Sequence, residues 1–141
     1  MFVINPLVPE LLCSDFAQSL AFYVECLGFE VVQQRRNQAH AYIALQGSQL
    51  MLAARHGTWE TAPLERPYGR GVNFQFLVDN VKDLHERVAS AGHKPFLELH
   101  TKWYWRTDRM DERAQFGVLD PDGYFLRFAH VSRHRPITDD D

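Results

Sequence analysis

Two stretches of the chain carry apolar residues at the three- and four-residue spacing of one helix face. The first covers residues 16–27, between Asp15 and Gly28, and the second follows Asp79 and ends before Gly92. In each, the Asp can accept hydrogen bonds from the free N–H groups of the first turn. The Gly can adopt the left-handed conformation that ends a helix. The pattern therefore predicts two helices with defined ends.

Alternation of apolar and polar positions, which is typical of β-strands, occupies most of the chain outside the helices. A short apolar run precedes each helix, and six further segments predict strands at 29–34, 41–45, 49–53, 94–99, 114–119 and 124–131. The turn Asp120-Pro121-Asp122-Gly123 has Pro and Gly where a tight turn needs a fixed φ and a positive φ. Each half of the chain is thus predicted to run strand, helix and three strands.

The two halves form an internal repeat with an offset of 64 residues (79 − 15 = 64), which also maps Leu20 onto Leu84 and Val24 onto Val88. We therefore predict a single domain over residues 1–141, built from βαβββ modules at 6–55 and 70–131. Residues 132–141 end in three aspartates and are predicted to be a flexible tail.

Composition narrows the function classes. Hydrophobic residues make up 45% and charged residues 23% of the 141 residues, which is ordinary for a globular protein. The net charge of −3 disfavours nucleic acid as a partner, and no apolar run is long enough to span a membrane. Two cysteines without paired spacing and an N-terminus unlike a signal peptide predict a cytoplasmic protein.

The paired modules, the opening SDFAQSLAFYVECLGFEV and the closing DPDGYFLRF resemble the vicinal oxygen chelate superfamily, which contains glyoxalase I, extradiol dioxygenases and bleomycin-resistance proteins. The segments PLERPYGRGVNFQF and KWYWR are most similar to the bleomycin-resistance branch. The resemblance implies an α+β fold in which the two modules form an open, cleft-bearing eight-stranded sheet. It also implies a homodimer that exchanges N-terminal strands.

Enzymes of this superfamily hold a divalent metal through His and Glu side chains on four strands. Counting from the shared motifs, the resemblance places those four positions at Val8, Met51, Asn73 and Arg127. Apolar, thioether, amide and guanidinium groups do not suit Zn, Ni or Fe. None of the seven histidines has a ligand spacing on a plausible element, and no nucleophile motif occurs. We therefore predict no metal, no cofactor and no catalytic residue.

A cleft without metal can still bind a ligand. Period-two alternation places inward-facing side chains at Glu10, Met51, Asn73, Gln75 and Arg127. Two interpretations of Glu10 and Arg127 stay open, a buried ion pair or a polar anchor for a ligand. The aromatic residues Trp59, Trp103 and Tyr104 fall outside the predicted strands. They either cap the core or contact a ligand, and we expect Trp59 and Trp103 to stack on one.

Two function classes follow. The first is a metal-free protein that resembles bleomycin-resistance proteins and sequesters a planar small molecule in a dimer cleft, with an antibiotic as the example. The negative net charge favours a cationic ligand. The alternative is a metal-dependent glyoxalase- or dioxygenase-like enzyme. The residues at the four metal positions favour the first class.

Overall fold

Two helices and eight strands make up the secondary structure of the computed structural model, which describes residues 2–35 and 37–141. In chain order the elements are β1 (Glu10–Cys13), α1 (Phe16–Ala21), β2 (Glu30–Gln34), β3 (His40–Leu45), β4 (Ser48–Ala54), β5 (Asn73–Leu77), α2 (Val81–Ser90), β6 (Leu97–Trp105), β7 (Met110–Leu119) and β8 (Phe125–Arg135). Helix α1 continues into a π-helical turn, Phe22–Cys26. No helix in the described residues is long and apolar enough to cross a membrane.

The elements belong to two compact units. The first unit contains the residues up to Val72 together with Leu119–Phe125, and the second contains Asn73–Val118 with Leu126–Asp141. The eight predicted strands are hydrogen-bonded as two sheets of four, in the orders β1-β4-β3-β2 and β5-β8-β7-β6. Each sheet, with one helix, belongs to one half of the repeat.

In the first unit, β1 runs parallel to β4, while β3 is antiparallel to both β4 and β2. Leu11 pairs with Leu52 and Ile43 pairs with Leu50, and all four side chains are buried on the face that helix α1 covers. Burial of each such side chain contributes about 1.5–3 kcal/mol before entropy is counted. The opposite face of this sheet carries Glu10, Leu12 and their register partners Met51 and Ala53.

Cys13 lies at the end of β1 and is 1% exposed. Burial raises the pKa of its thiol to about 12, and its Sγ donates a long hydrogen bond of 3.6 Å to the carbonyl oxygen of Leu11. Cys26 is also buried, and both cysteines are free thiols.

In the second unit, three phenylalanines stack beneath helix α2. The rings of Phe76 and Phe128 are 5.1 Å apart and those of Phe128 and Phe116 are 5.5 Å apart, in near-parallel orientation. His85 of α2 lies edge-on against Phe116 at 5.2 Å. Because side chains alternate along each strand, the neighbours of these residues face the other side of the sheet.

Most local signals in the sequence are confirmed. Asp15 accepts a hydrogen bond from the N–H of Gln18 (3.1 Å), so it caps α1 as predicted. Gly28 and Gly92 have φ values of 85° and 87° after their helices. Gly123 has a φ of 98°, as the predicted turn requires.

Several boundaries differ from the prediction, among them the start of β7, which begins at Met110 and not at 114. Helix α2 is capped by Asn80, whose side chain accepts from the N–H of Asp83, and not by Asp79. Strand β6 covers Leu97–Trp105 instead of 94–99. Strand β8 continues to Arg135, so Ser132 to Arg135 lie in a strand and not in the predicted tail. In β6, the cross-strand partners Met110, Asp111 and Glu112 extend pairing beyond the segment in which apolar and polar residues alternate.

Candidate functional site

A cavity of about 400 Å³ opens in the first unit, a volume within the range of small-molecule sites. It is lined by Glu10, Leu12, Trp59, Leu64, Gly69 and Tyr124. Glu10 and Leu12 are two positions apart on β1, so their side chains leave the same face of the sheet. Met51 is the register partner of Glu10 on β4 and shares that face. The cavity thus brings together two of the predicted ligand-binding residues, Glu10 and Trp59.

Trp59 lies in the segment after β4, and 65% of its surface is exposed. Two contacts order this segment. The guanidinium of Arg55 forms an ion pair of 2.5 Å with the carboxylate of Glu60, and the ring of His56 lies edge-on to the indole at 6.2 Å. The indole therefore borders the cavity with much of its surface uncovered.

Glu10 faces the imidazole of His40, with 3.6 Å between Oε2 and Nε2. This distance is too long for a hydrogen bond, and Nε2 of His40 is buried without a hydrogen-bond partner in the described part of the chain. Burial and the nearby Arg35 lower the pKa of His40, against the opposing effect of Glu10. His40 is therefore neutral at neutral pH and leaves the negative charge of Glu10 uncompensated.

Tyr124 forms a wall of the cavity and is fixed from two sides. Its hydroxyl donates to the carbonyl oxygen of Leu12 (3.0 Å). A Cβ on Gly69 would lie 2.6 Å from Cδ1 of the Tyr124 ring, so only Gly permits this approach. The sequence did not predict Tyr124 as a lining residue, because DPDGY indicates only a turn. The signal that could have found it is the aromatic residue directly after the turn.

Asp120 begins that turn and is 5% exposed. Its carboxylate accepts hydrogen bonds from the hydroxyl of Tyr23 (2.8 Å) and from the backbone N–H groups of Asp122 (2.9 Å) and Tyr124 (3.0 Å). Burial nevertheless dominates and raises the pKa of Asp120 to about 6.

This shift predicts a pH-dependent stability. Because the pKa of Asp120 is higher in the folded chain than in the unfolded chain, the folded state retains a proton that the unfolded state has lost. The contribution of Asp120 to the free energy of unfolding therefore falls as the pH rises from about 4 to about 6, by up to roughly 3 kcal/mol. Urea unfolding across this range should show the decline in the wild type and a flatter profile in Asp120→Asn. Parallel profiles would contradict the assignment.

In the second unit, the predicted residues Asn73, Tyr104 and Arg127 belong to one hydrogen-bonded network. Arg127 donates from Nε to Oδ1 of Asn73 (2.8 Å) and from Nη1 to Oε1 of Gln115 (3.4 Å). Gln115 in turn donates from Nε2 to the hydroxyl of Tyr104 (2.6 Å). Gln75 is the fourth predicted residue on the same side of this sheet. Its Oε1 accepts a hydrogen bond from Nη1 of Arg113 (3.0 Å).

Gln115 and Arg113 were not predicted. They alternate in β7 with the buried Ala114 and Phe116, and this period-two pattern is the signal that could have found them. Arg127 thus binds amide oxygens within its own unit, while Glu10 in the first unit faces the neutral imidazole of His40.

Trp103 and Tyr104 lie inside β6, so the prediction that they fall outside the strands is wrong. They pair with Glu112 and Asp111 of β7, which suits the preference of aromatic residues for strands. Because neighbours in a strand alternate, Trp103 faces away from Tyr104. Its ring contacts the guanidinium groups of Arg133 (5.3 Å) and Arg135 (4.8 Å). Trp103 is therefore separated from the polar network that contains Tyr104.

Residues 4–128 match the Glyoxalase/Bleomycin resistance protein/Dioxygenase superfamily. The chain belongs to this superfamily. Among solved structures, a virulence protein of Salmonella typhimurium is 18% identical, with 92% of this chain and 99% of that chain covered and a TM-score of 0.67. A lactoylglutathione lyase of Agrobacterium tumefaciens is also 18% identical, covering 90% of this chain and 94% of the other at a TM-score of 0.58.

A superfamily member from Vibrio splendidus 12B01 is 39% identical, with 87% of this chain and 96% of that chain covered and a TM-score of 0.41. No curated protein matches the chain. With two mixed four-stranded sheets and few helices, the predicted α+β glyoxalase/bleomycin-resistance fold is confirmed.

The metal positions that the superfamily implies do not fit a divalent cation in this chain. The Asn73 amide oxygen accepts from the guanidinium of Arg127, which brings a positive charge to two of the four positions. Val8 offers no donor atom, and Met51 offers only a soft thioether. In residues 2–35 and 37–141, no three His, Cys, Asp or Glu side chains come together in a way that could hold a metal ion.

Proposed function

We propose that this protein binds a planar, cationic small molecule in the cavity of the first unit and sequesters it without a metal, as a member of the bleomycin-resistance branch. The observation that carries the proposal is the pairing of an exposed indole, Trp59, with an uncompensated carboxylate, Glu10, on the lining of one cavity.

Trp59 supplies the surface for a planar ligand. An indole that stays 65% exposed gains little from folding, so core packing does not account for it. Stacking of an aromatic ligand contributes about 0.5–1.5 kcal/mol beyond area burial, and a cation on the ring face adds about 0.5–2 kcal/mol. Leu12 and Leu64 provide apolar walls around the ligand.

Glu10 supplies the preference for a positive charge. Its carboxylate lies in a partly enclosed lining, where a charged ligand is attracted more strongly than in bulk water. His40 does not compete for this charge, because burial keeps its imidazole neutral. The choice of a cation therefore depends on the cavity itself and not only on the net charge of the chain.

The proposal includes a homodimer in the cytoplasm. Val3, Ile4 and Leu7 precede β1 and are 72%, 53% and 81% exposed. An exposed apolar segment of this kind favours contact with a second copy of the chain. Val8, Met51, Asn73 and Arg127 at the metal positions favour a binding protein over the metal-dependent enzyme of the alternative.

A titration with bleomycin tests the proposal. The double variant Trp103→Phe, Trp105→Phe retains Trp59 as its one tryptophan. Its tryptophan fluorescence should be quenched when bleomycin is added. By calorimetry on the otherwise wild-type chain, Trp59→Ala should weaken binding about tenfold, which corresponds to roughly 1.4 kcal/mol. Glu10→Gln should weaken binding of bleomycin and leave that of an uncharged planar compound unchanged.

Two matched variants serve as controls. Trp105→Ala removes an indole that is 59% exposed in the second unit, and Glu30→Gln removes an exposed carboxylate of β2. Neither should change the affinity. Absence of quenching by bleomycin and by other planar cations up to about 1 mM would overturn the proposal, since affinities weaker than this are not useful for sequestration. One equivalent of tightly bound divalent metal in the purified protein would favour the enzyme instead.

A further inference from the structure

The polar face of the second unit carries three cations that form no ion pair with a carboxylate among the residues that the structure describes. Lys102, Arg113 and Arg127 stand on adjacent strands of the sheet, on the face opposite the stacked phenylalanines. We propose that this face binds the oxyanion of a small molecule, a carboxylate or a phosphate, and that Arg127 and Arg113 are its main contacts.

The hydrogen-bond acceptors of the two arginines are neutral. Arg127 donates to the amide oxygens of Asn73 and Gln115, and Arg113 donates to the amide oxygen of Gln75. A guanidinium has five N–H donors in a planar fork, so amide contacts of this kind leave donors for a ligand. The amides orient the guanidinium groups and leave their charge in place. A bidentate oxyanion is the ligand that such a fork fits best.

The direction of the hydrogen bonds in the network also favours an anion. Gln115 uses its oxygen for Arg127 and its Nε2 for both Tyr104 and His100. In the tautomer that fits both contacts, Nε2 of His100 accepts from Gln115 and Nδ1 donates to the carbonyl oxygen of Glu98, which lies 2.9 Å away. Because the Tyr104 hydroxyl accepts from Gln115, its own proton is available to an acceptor from outside the network. The Tyr104 hydroxyl and the guanidinium groups therefore offer hydrogen-bond donors to a ligand on this face.

Tyr104 keeps two of the cations close together. Nζ of Lys102 lies 5.7 Å from the centre of its ring, and the guanidinium carbon of Arg113 lies 5.5 Å from it. Two like charges around one ring repel each other, and an anion between them relieves this repulsion. The carboxylate of Asp111, the register partner of Tyr104, is 2% exposed and is already held by Arg106 and Arg109, so it does not neutralise them.

The site differs in unit and in charge from the cavity of the proposed function. Its ligand chemistry is opposite, and none of its residues lines that cavity. The two proposals can therefore fail separately.

The test is a titration of the ¹⁵N-labelled full-length protein with benzoate, phenyl phosphate and the uncharged benzamide, followed by NMR. We expect both anions to shift amide signals of β5 to β8, and benzamide to shift none of them. The side-chain signals of Arg113 and Arg127 should move with the same dissociation constant. The tighter of the two dissociation constants, for benzoate or for phenyl phosphate, then shows whether the site prefers a carboxylate or a phosphate.

Variants assign the effect to the arginines. Arg127→Gln and Arg113→Gln should each weaken benzoate binding at least about tenfold, as expected when a charge-assisted hydrogen bond is lost. Arg127→Lys should recover part of the affinity. The control is Lys82→Gln, which removes one charge from an exposed position of α2 on the other side of the sheet and should change nothing beyond a small general effect.

The proposal is overturned if benzamide binds as well as benzoate, or if Lys82→Gln weakens binding as much as the arginine variants. It is also overturned if neither anion shifts signals of this face at about 10 mM, a concentration that would reveal even a dissociation constant in the millimolar range. Trp59→Ala and Glu10→Gln should leave benzoate binding intact. Loss of bleomycin binding alone would therefore contradict only the proposed function.

Discussion

Replacing Asp122 by alanine should lower the free energy of unfolding by about 2–3 kcal/mol, the cost expected when a buried carboxylate that accepts several hydrogen bonds is removed. The Asp122 carboxylate is 1% exposed, and it accepts from both the N–H and the hydroxyl of Ser14. It also pairs with the guanidinium of Arg66 at 3.0 Å. Its loss leaves the Ser14 donors and Arg66 without their acceptor.

The measurement is equilibrium unfolding in urea, with Asp15→Ala as the comparison. Asp15 caps α1 one position after Ser14, but its carboxylate is exposed, so its removal should cost only about 1 kcal/mol. Asp122→Asn retains one acceptor oxygen and should fall between the two. If Asp122→Ala costs no more than Asp15→Ala, Asp122 does not hold the turn in the way that its contacts indicate.

Gly123→Ala should destabilise the protein by about 2–5 kcal/mol, the sum of left-handed backbone strain and overpacking. Gly123 has a φ of 98°, and a Cβ built on it would lie 2.5 Å from Cβ and 2.6 Å from Cα of Pro67. The backbone of Pro67 cannot move away without also moving Tyr68, whose N–H donates to the carbonyl oxygen of Asp122 (2.8 Å).

Gly47→Ala separates the two contributions. Gly47 has a φ of 90°, and a Cβ there would meet no atom within 4 Å, so this variant measures the cost of the backbone conformation alone. Thermal unfolding of both variants should show the larger loss for Gly123→Ala. Equal losses would mean that the close approach to Pro67 adds nothing to the strain.

The parts of the fold that the sequence predicts are those that depend on neighbours in the chain. Asp15 caps a helix whose first N–H groups lie three residues away, and Gly28 ends it by a property of its own backbone. The turn at Gly123 is of the same kind. Such signals survive folding because the interacting groups are already close together in the unfolded chain.

The parts that were missed depend on partners far away in the chain. Strand β6 extends through Trp105 because Met110, Asp111 and Glu112 pair with its end, and no pattern within residues 100–105 reveals this. The amide of Asn73 meets Arg127 across 54 residues. Residues 55–70 have no periodicity, so the contribution of Leu64 and Gly69 to a cavity became visible only in the structure.

The buried thiol at the end of β1 has a kinetic consequence. With its pKa at about 12, the Cys13 side chain holds almost no thiolate at neutral pH, and alkylating reagents cannot reach the buried sulfur in the folded chain. Its alkylation therefore proceeds through molecules in which β1 has detached from β4. Because the same strand carries Glu10 and Leu12, the rate of Cys13 alkylation reports how frequently this side of the cavity unfolds locally. A ligand bound in the cavity should therefore lower the rate of alkylation.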